Sequence, residues 1–130
     1  MIFLDASYVI GLYVENEQWH EQAVKIFEDV EEKGEKIISN LVIEEIVTAI
    51  GKKVDPKASK EIYNHILNNY NVINENRQIY NTALDIFVKH GATLSLTDSV
   101  SVEIMKEKNI HEIASFDKDF DRVKGIFRVH

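Results

Sequence analysis

The sequence predicts an α/β fold, a three-layer sandwich in which a central, mainly parallel sheet carries helices on both faces. Three observations carry this. Short apolar runs alternate with longer stretches whose apolar residues recur at helical spacing. Only one proline and five glycines punctuate the chain, so long loops are scarce. No repeat, low-complexity tract or linker interrupts the 130 residues, which suits one domain over residues 1–130. Strands that alternate with helices favour a parallel sheet buried on both sides.

The elements follow in order. Ile2–Leu4 reads as a strand, followed by a helix from Ser7 to Val14. A second helix from Gln18 to Lys33 places Trp19, Ala23, Ile26, Phe27 and Val30 at helical spacing, and Gly34 ends it. Lys36–Ile38 is the second strand. Ser39 or Asn40 caps a helix that runs through Lys53 and breaks at Asp55-Pro56. Lys57 to Asn69 is helical with Ile62, Ile66, Leu67 and Tyr70 inward, and Asn71–Ile73 is a third strand. A helix from Arg77 to His90 stops at Gly91. Thr97 is expected to cap the next, which reaches Lys108. Glu112–Phe116 and Ile126–Val129 are the last strands.

Composition narrows the function. The chain is 45% hydrophobic and 28% charged. At this length folding buries roughly two-thirds of the unfolded surface, enough for a core without staples. The absence of cysteine excludes a disulfide framework and a thiolate metal site, and permits a reducing compartment. The five histidines are scattered without ligand spacing, which argues against zinc. The apolar opening MIFLDASYVIGLYV lacks a basic lead and is interrupted by Asp5. No stretch reaches the roughly 18 apolar residues of a membrane span. A soluble, cytoplasmic protein without membrane contact is expected. A net charge of −7 attracts phosphate backbones poorly. Nucleic-acid chemistry would have to rest on a local basic rim or on bound cations.

The stretch IASFDKDFDRV, residues 113–123, sets Asp117, Asp119 and Asp121 just after an apolar run. In α/β sheets, ligands bind outside the carboxyl ends of the strands. Asp117 is at such an end, and so is Asp5 after IFL. Each also suits a turn or a helix cap. In LVIEEIVTAI, at about 100° per residue, Val42, Ile43, Ile46, Val47, Ala49 and Ile50 form one face. Glu45 borders that face, and Glu44 points nearly opposite. In SLTDSVSVEIM, Asp98 shares a stripe with Ser101, Val102 and Met105, although a first-turn acid also complements the helix dipole. One cause would unite all four acids. Clustered carboxylates repel each other unless a cation holds them. Oxygen ligands alone suit Mg²⁺ or Mn²⁺, ions that support phosphodiester cleavage.

These segments resemble the PIN-domain nucleases, and within them the small VapC-type toxins. LDASYVIGLY is similar to the family's opening strand, aspartate and helix. ISNLVIEEIV resembles its glutamate segment and aligns Glu45. LSLTDSVSVEIM resembles the third acidic segment, with Asp98, and ASFDKDF the fourth, with Asp117. The resemblance runs in order through most of the chain. It implies a Mg²⁺- or Mn²⁺-dependent ribonuclease with Asp5, Glu45, Asp98 and Asp117 as catalytic and metal-holding acids. A homodimer and a small antitoxin partner are implied as well. Ser7 and Ser115 match accessory positions that hold acids or metal waters, and Asp121 matches an accessory ligand, with a solvated turn as the alternative for Asp119 and Asp121.

Lys118, Arg122, Lys124 and Arg128 surround the last acids, where they suit either an RNA backbone or ion pairs with neighbouring aspartates. Trp19, Tyr63, Tyr70 and Tyr80 lie mostly on apolar stripes and read as core or dimer contacts ahead of base-stacking platforms. Lys52 and Lys53 complement the end of the Glu45 helix. Aspartate-nucleophile phosphatases need a second aspartate where Ser7 stands. Phosphoacceptor domains need an acidic pair near the first strand. The remaining rival is a PIN-like module that binds RNA or a partner without turnover.

Overall fold

In the computed structural model, which describes all of residues 1–130, five strands form one sheet. They are β1 (Ile2–Leu4), β2 (Lys36–Ser39), β3 (Asn71–Ile73), β4 (Glu112–Ala114) and β5 (Phe127–Val129). Six helices connect them: α1 (Ala6–Tyr13), α2 (His20–Glu32), α3 (Asn40–Lys53), α4 (Pro56–Asn69), α5 (Arg77–Lys89) and α6 (Leu96–Glu107). A 3₁₀ turn, Lys118–Arg122, precedes β5. The strand order is β3-β2-β1-β4-β5 and every pairing is parallel.

Parallel strands require crossovers, and right-handed crossovers place opposite directions of travel on opposite faces. The chain moves outward from β1 to β3 through α1–α4, then back across the sheet through α5 and α6. Accordingly α1 packs on α2 and α3, and α3 on α4, while α5 and α6 pack on each other. Covered on both sides, β1 reads as an unbroken apolar run, and Ile2, Phe3 and Leu4 are fully buried. One cluster of 32 buried apolar residues includes them.

Local chemistry sets most helix starts. Ser39 accepts the Val42 N–H at 3.2 Å, Asp55 that of Ala58 at 2.7 Å, and Asn76 that of Ile79 at 2.9 Å. Pro56 occupies the first turn of α4, where a missing N–H does no harm. Gly34 follows α2 at φ +89°, a conformation that suits a residue without Cβ.

The structure departs from the expected boundaries in two informative places. Ser95 caps α6, accepting the Asp98 N–H at 3.0 Å, and Thr97 lies inside the helix. A serine three residues ahead of an acid forms the better capping pair. The fourth strand ends at Ala114: the Ser115 N–H still reaches the Val129 carbonyl at 3.3 Å, but the donors after it turn to side chains. The Phe116 N–H goes to Ser7 Oγ and the Asp117 N–H to Ser115 Oγ, each at 3.0 Å.

Candidate active site

β1 and β4 are neighbours, yet the chain leaves β1 toward β2 and leaves β4 toward β5. That divergence opens a crevice at their carboxyl ends. The register pairs Leu4 with Ala114, so Asp5 and Ser115 are the first residues beyond the ladder on each side. A cleft of about 590 Å³ lies there, and Asp5, Glu45, Asp98, Asp117 and Asp119 all line it with Ser7, Thr93 and Ser95. The four acids singled out in the sequence thus meet from four separate segments.

Asp5 precedes α1 but makes no cap bond. Its Oδ2 instead accepts two hydroxyls at 2.7 Å, from Ser7 and from Ser115. Each serine accepts a backbone N–H in turn, so the pair ties α1 to the segment after β4. Asp5 is only 6% exposed, and burial pushes its carboxyl above the usual range. The two hydroxyls oppose that rise, and the nearby Asp117 adds to it.

Asp98 lies in the first turn of α6. Burial, with Asp5 and Asp117 close by, pushes it up to about 7, against the Ser95 hydroxyl. Glu45 is raised by burial and by Asp5, and the Thr97 hydroxyl opposes the rise. Asp117 uses Oδ1 to accept the Asp119 N–H at 2.9 Å, so it does start the 3₁₀ turn, and it lines the cleft as well.

Other expected residues go elsewhere. Asp121 is held by Arg128 in a two-pronged pair, Nε to Oδ1 at 2.7 Å and Nη2 to Oδ2 at 2.9 Å. Arg128 also donates to the Ser115 carbonyl at 3.3 Å. The neighbour that does line the cleft is Asp119, and Arg122 approaches it to 3.9 Å. Lys118 begins the same turn. Lys124 is not brought to the acids. The 3₁₀ turn returns the chain to the opposite end of the sheet so that β5 can run parallel to β4, and there Lys124 lines a hollow with His111 and Asn109. Glu44 is exposed and lines a neighbouring groove with Thr48, Lys52 and Lys53, which meets the cleft at Glu45. Thr97 was missed as a partner of Glu45. Its signal is the hydroxyl one residue before Asp98, which reads at first sight as a helix cap.

Residues 2–126 match the PIN domain family. The chain belongs to that family. As a PIN domain it shares its fold with VapC20 of Mycobacterium tuberculosis, a toxin that cleaves the sarcin–ricin loop. The identity is 22% and the TM-score 0.83, with 93% of each chain covered. It is similar to a toxin–antitoxin complex from Klebsiella pneumoniae, at 16% identity and TM-score 0.70, covering 98% of this chain and 96% of that one. It is also similar to VapBC2 from Rickettsia felis bound to a promoter DNA fragment, at 15% identity and TM-score 0.68, covering 99% and 98%. No curated protein matches the sequence.

The donor set of this PIN domain is suited to a hard cation. Its acids are oxygen ligands, the carboxyls of Asp5, Glu45 and Asp98 have raised pKa values, and a nearby positive charge would relieve the mutual repulsion. No three of them stand close enough to enclose an ion unaided. A hard cation there would use one or two carboxylates directly and complete its shell with water, as Mg²⁺ commonly does.

Proposed function

We propose that this PIN domain is a Mg²⁺- or Mn²⁺-dependent endoribonuclease and the toxin of a toxin–antitoxin pair. The observation that carries the reading is the meeting of Asp5, Glu45, Asp98 and Asp117 in one cleft at the β1–β4 divergence. One or two of these carboxylates would hold the divalent ion directly and the others would reach it through its waters. When bound, it supplies Lewis-acid activation of water and charge stabilisation at the departing oxygen of the phosphodiester.

The protein's own part is positioning. Ser7 and Ser115 both donate to Asp5 Oδ2 and so fix the orientation of the carboxylate that lines the cleft. The Asp117–Asp119 turn fixes Asp117 through one oxygen and frees the other. The Thr97 hydroxyl favours the ionised form of Glu45. Burial of Asp5 keeps bulk water from competing for its carboxylate.

Partners belong to the same reading. Val24 and Phe27 on α2, with Tyr63 and Leu67 on α4, leave apolar side chains exposed, a surface that suits a small antitoxin. Leu84 and Val88 on α5 are also exposed and suit contact with a second copy in a homodimer. The deciding experiment is cleavage of mixed cellular RNA with and without Mn²⁺ or Mg²⁺. Metal-dependent fragments are expected. Intact RNA under both conditions, with RNA still bound, would mean a binding module without turnover.

A further inference from the structure

Trp19 stacks on Phe116 with ring centroids 5.2 Å apart and planes only 12° from parallel. Phe116 is 7% exposed, whereas Trp19 is 39% exposed. One indole face is therefore covered by the phenyl ring, and the exposure belongs to the other face and the edge. Phe116 lies between Ser115, which binds Asp5, and Asp117, which lines the cleft, and its own N–H binds Ser7.

The backbone that carries the indole is also held. The Trp19 carbonyl accepts the Ala23 N–H at 2.8 Å, and Gly11 brings α1 so close that a Cβ there would stand 3.4 Å from the Trp19 Cβ. Trp19 occupies the cap position of α2 but gives that helix no side-chain bond. A serine or aspartate would serve the helix better.

Charge decides what such a face can hold. Several cations that an RNA backbone would use are already paired: Lys53 with Glu17, Arg122 with Asp119, and Arg128 with Asp121. Phosphate contacts alone then give weak binding. An uncharged aromatic partner suits an acidic corner better than a phosphate does. We infer that Trp19 is a stacking platform for a nucleobase beside the cleaved bond of single-stranded RNA. Held flat by Phe116, the ring loses little freedom on binding, and stacking tolerates any base. The inference rests on the nuclease reading and adds a substrate-binding contact to it.

Trp19 is the chain's one tryptophan, so its emission reports this site alone. The full chain is mixed with a short single-stranded RNA of mixed sequence, and with an otherwise identical strand lacking bases. Quenched emission with the first strand and none with the second is expected. Trp19→Ala should weaken binding of the base-bearing strand on the order of 10-fold, with little change for the abasic one. Trp19→Phe should keep most of the affinity, and a purely structural role would not separate the two strands. RNA that is bound and cleaved with unchanged emission would overturn the platform and leave the nuclease reading intact. An emission change that follows protein concentration without RNA would overturn it too, since a second copy would then cover the indole. RNA neither bound nor cut would remove the nuclease reading, and this inference with it.

Discussion

Ser115 and Asp5, 110 positions apart in the chain, are joined by a 2.7 Å hydrogen bond from hydroxyl to carboxylate. Both residues are buried, so neither can recruit bulk water as a substitute partner. Ser115→Ala should therefore destabilise the protein by roughly 1–3 kcal/mol, because Asp5 loses one of its two hydroxyl donors and the Asp117 N–H loses its acceptor. Divalent affinity should fall too, because Asp5 loses one of the two bonds that orient it. Denaturation and calorimetric Mn²⁺ titration check this together; unchanged affinity would mean that Ser7 alone positions the carboxylate.

Asp98 sets a pH signature. Its pKa is raised from 3.8 to about 7, so between those values the folded state binds more protons than the unfolded one. Stability then decreases as pH rises. In the metal-free protein, this group's contribution should fall from about pH 4 to about pH 7 and level off above. Asp98→Asn should flatten that segment of the profile. Added Mg²⁺ or Mn²⁺ should raise the melting temperature more at neutral pH than at low pH, since the ion needs ionised acids. A metal-free melting temperature that climbs through this window in wild type yet not in Asp98→Asn would contradict the assignment.

Substitution separates the two adjacent glutamates. Glu45 lines the cleft, whereas Glu44 lines only the groove beside it. Asp98→Asn, Asp5→Asn and Glu45→Gln should each lower RNA cleavage by orders of magnitude, consistent with loss of an electrostatic group at the reacting centre. Glu44→Gln should be nearly silent. Single-turnover rates on one RNA substrate suffice, and a dead Glu44→Gln would show that the wrong glutamate faces the substrate.

Asp121 should behave unlike the other acids. Its pairing with Arg128 holds its carboxyl below the usual range, so its stabilising effect is present at neutral pH and lost as pH falls through that lowered value. Asp121→Asn should weaken the anchoring of β5 in low salt while cleavage continues. Loss of cleavage with unchanged stability would instead return Asp121 to the metal site.

The sequence made the strand-end acids legible, because a parallel sheet exposes its ligand side at the carboxyl ends of its strands. Helical geometry also separated Glu45 from Glu44. What it could not convey was the path of the chain after Asp117. Lys124 is only seven positions from Asp117, yet the parallel return to β5 carries it to the far end of the sheet. The Asp121–Arg128 pair depends on the same return. Thr97 was obscured differently: two hydroxyls stand ahead of Asp98, and periodicity does not say which one caps the helix and which one meets Glu45.

The central place of β1 bears on biosynthesis. Phe3 pairs with Ile113, so β1 must wait for β4, far along the chain, before its second edge is covered. Contacts so distant in sequence form late. On the ribosome, a nascent chain that has not yet reached β4 and Asp117 lacks that acid and one of the two hydroxyls that seat Asp5, that of Ser115. The four-acid cleft is thus incomplete during most of synthesis, and on the nuclease reading it becomes competent only after the segment that follows β4 has emerged.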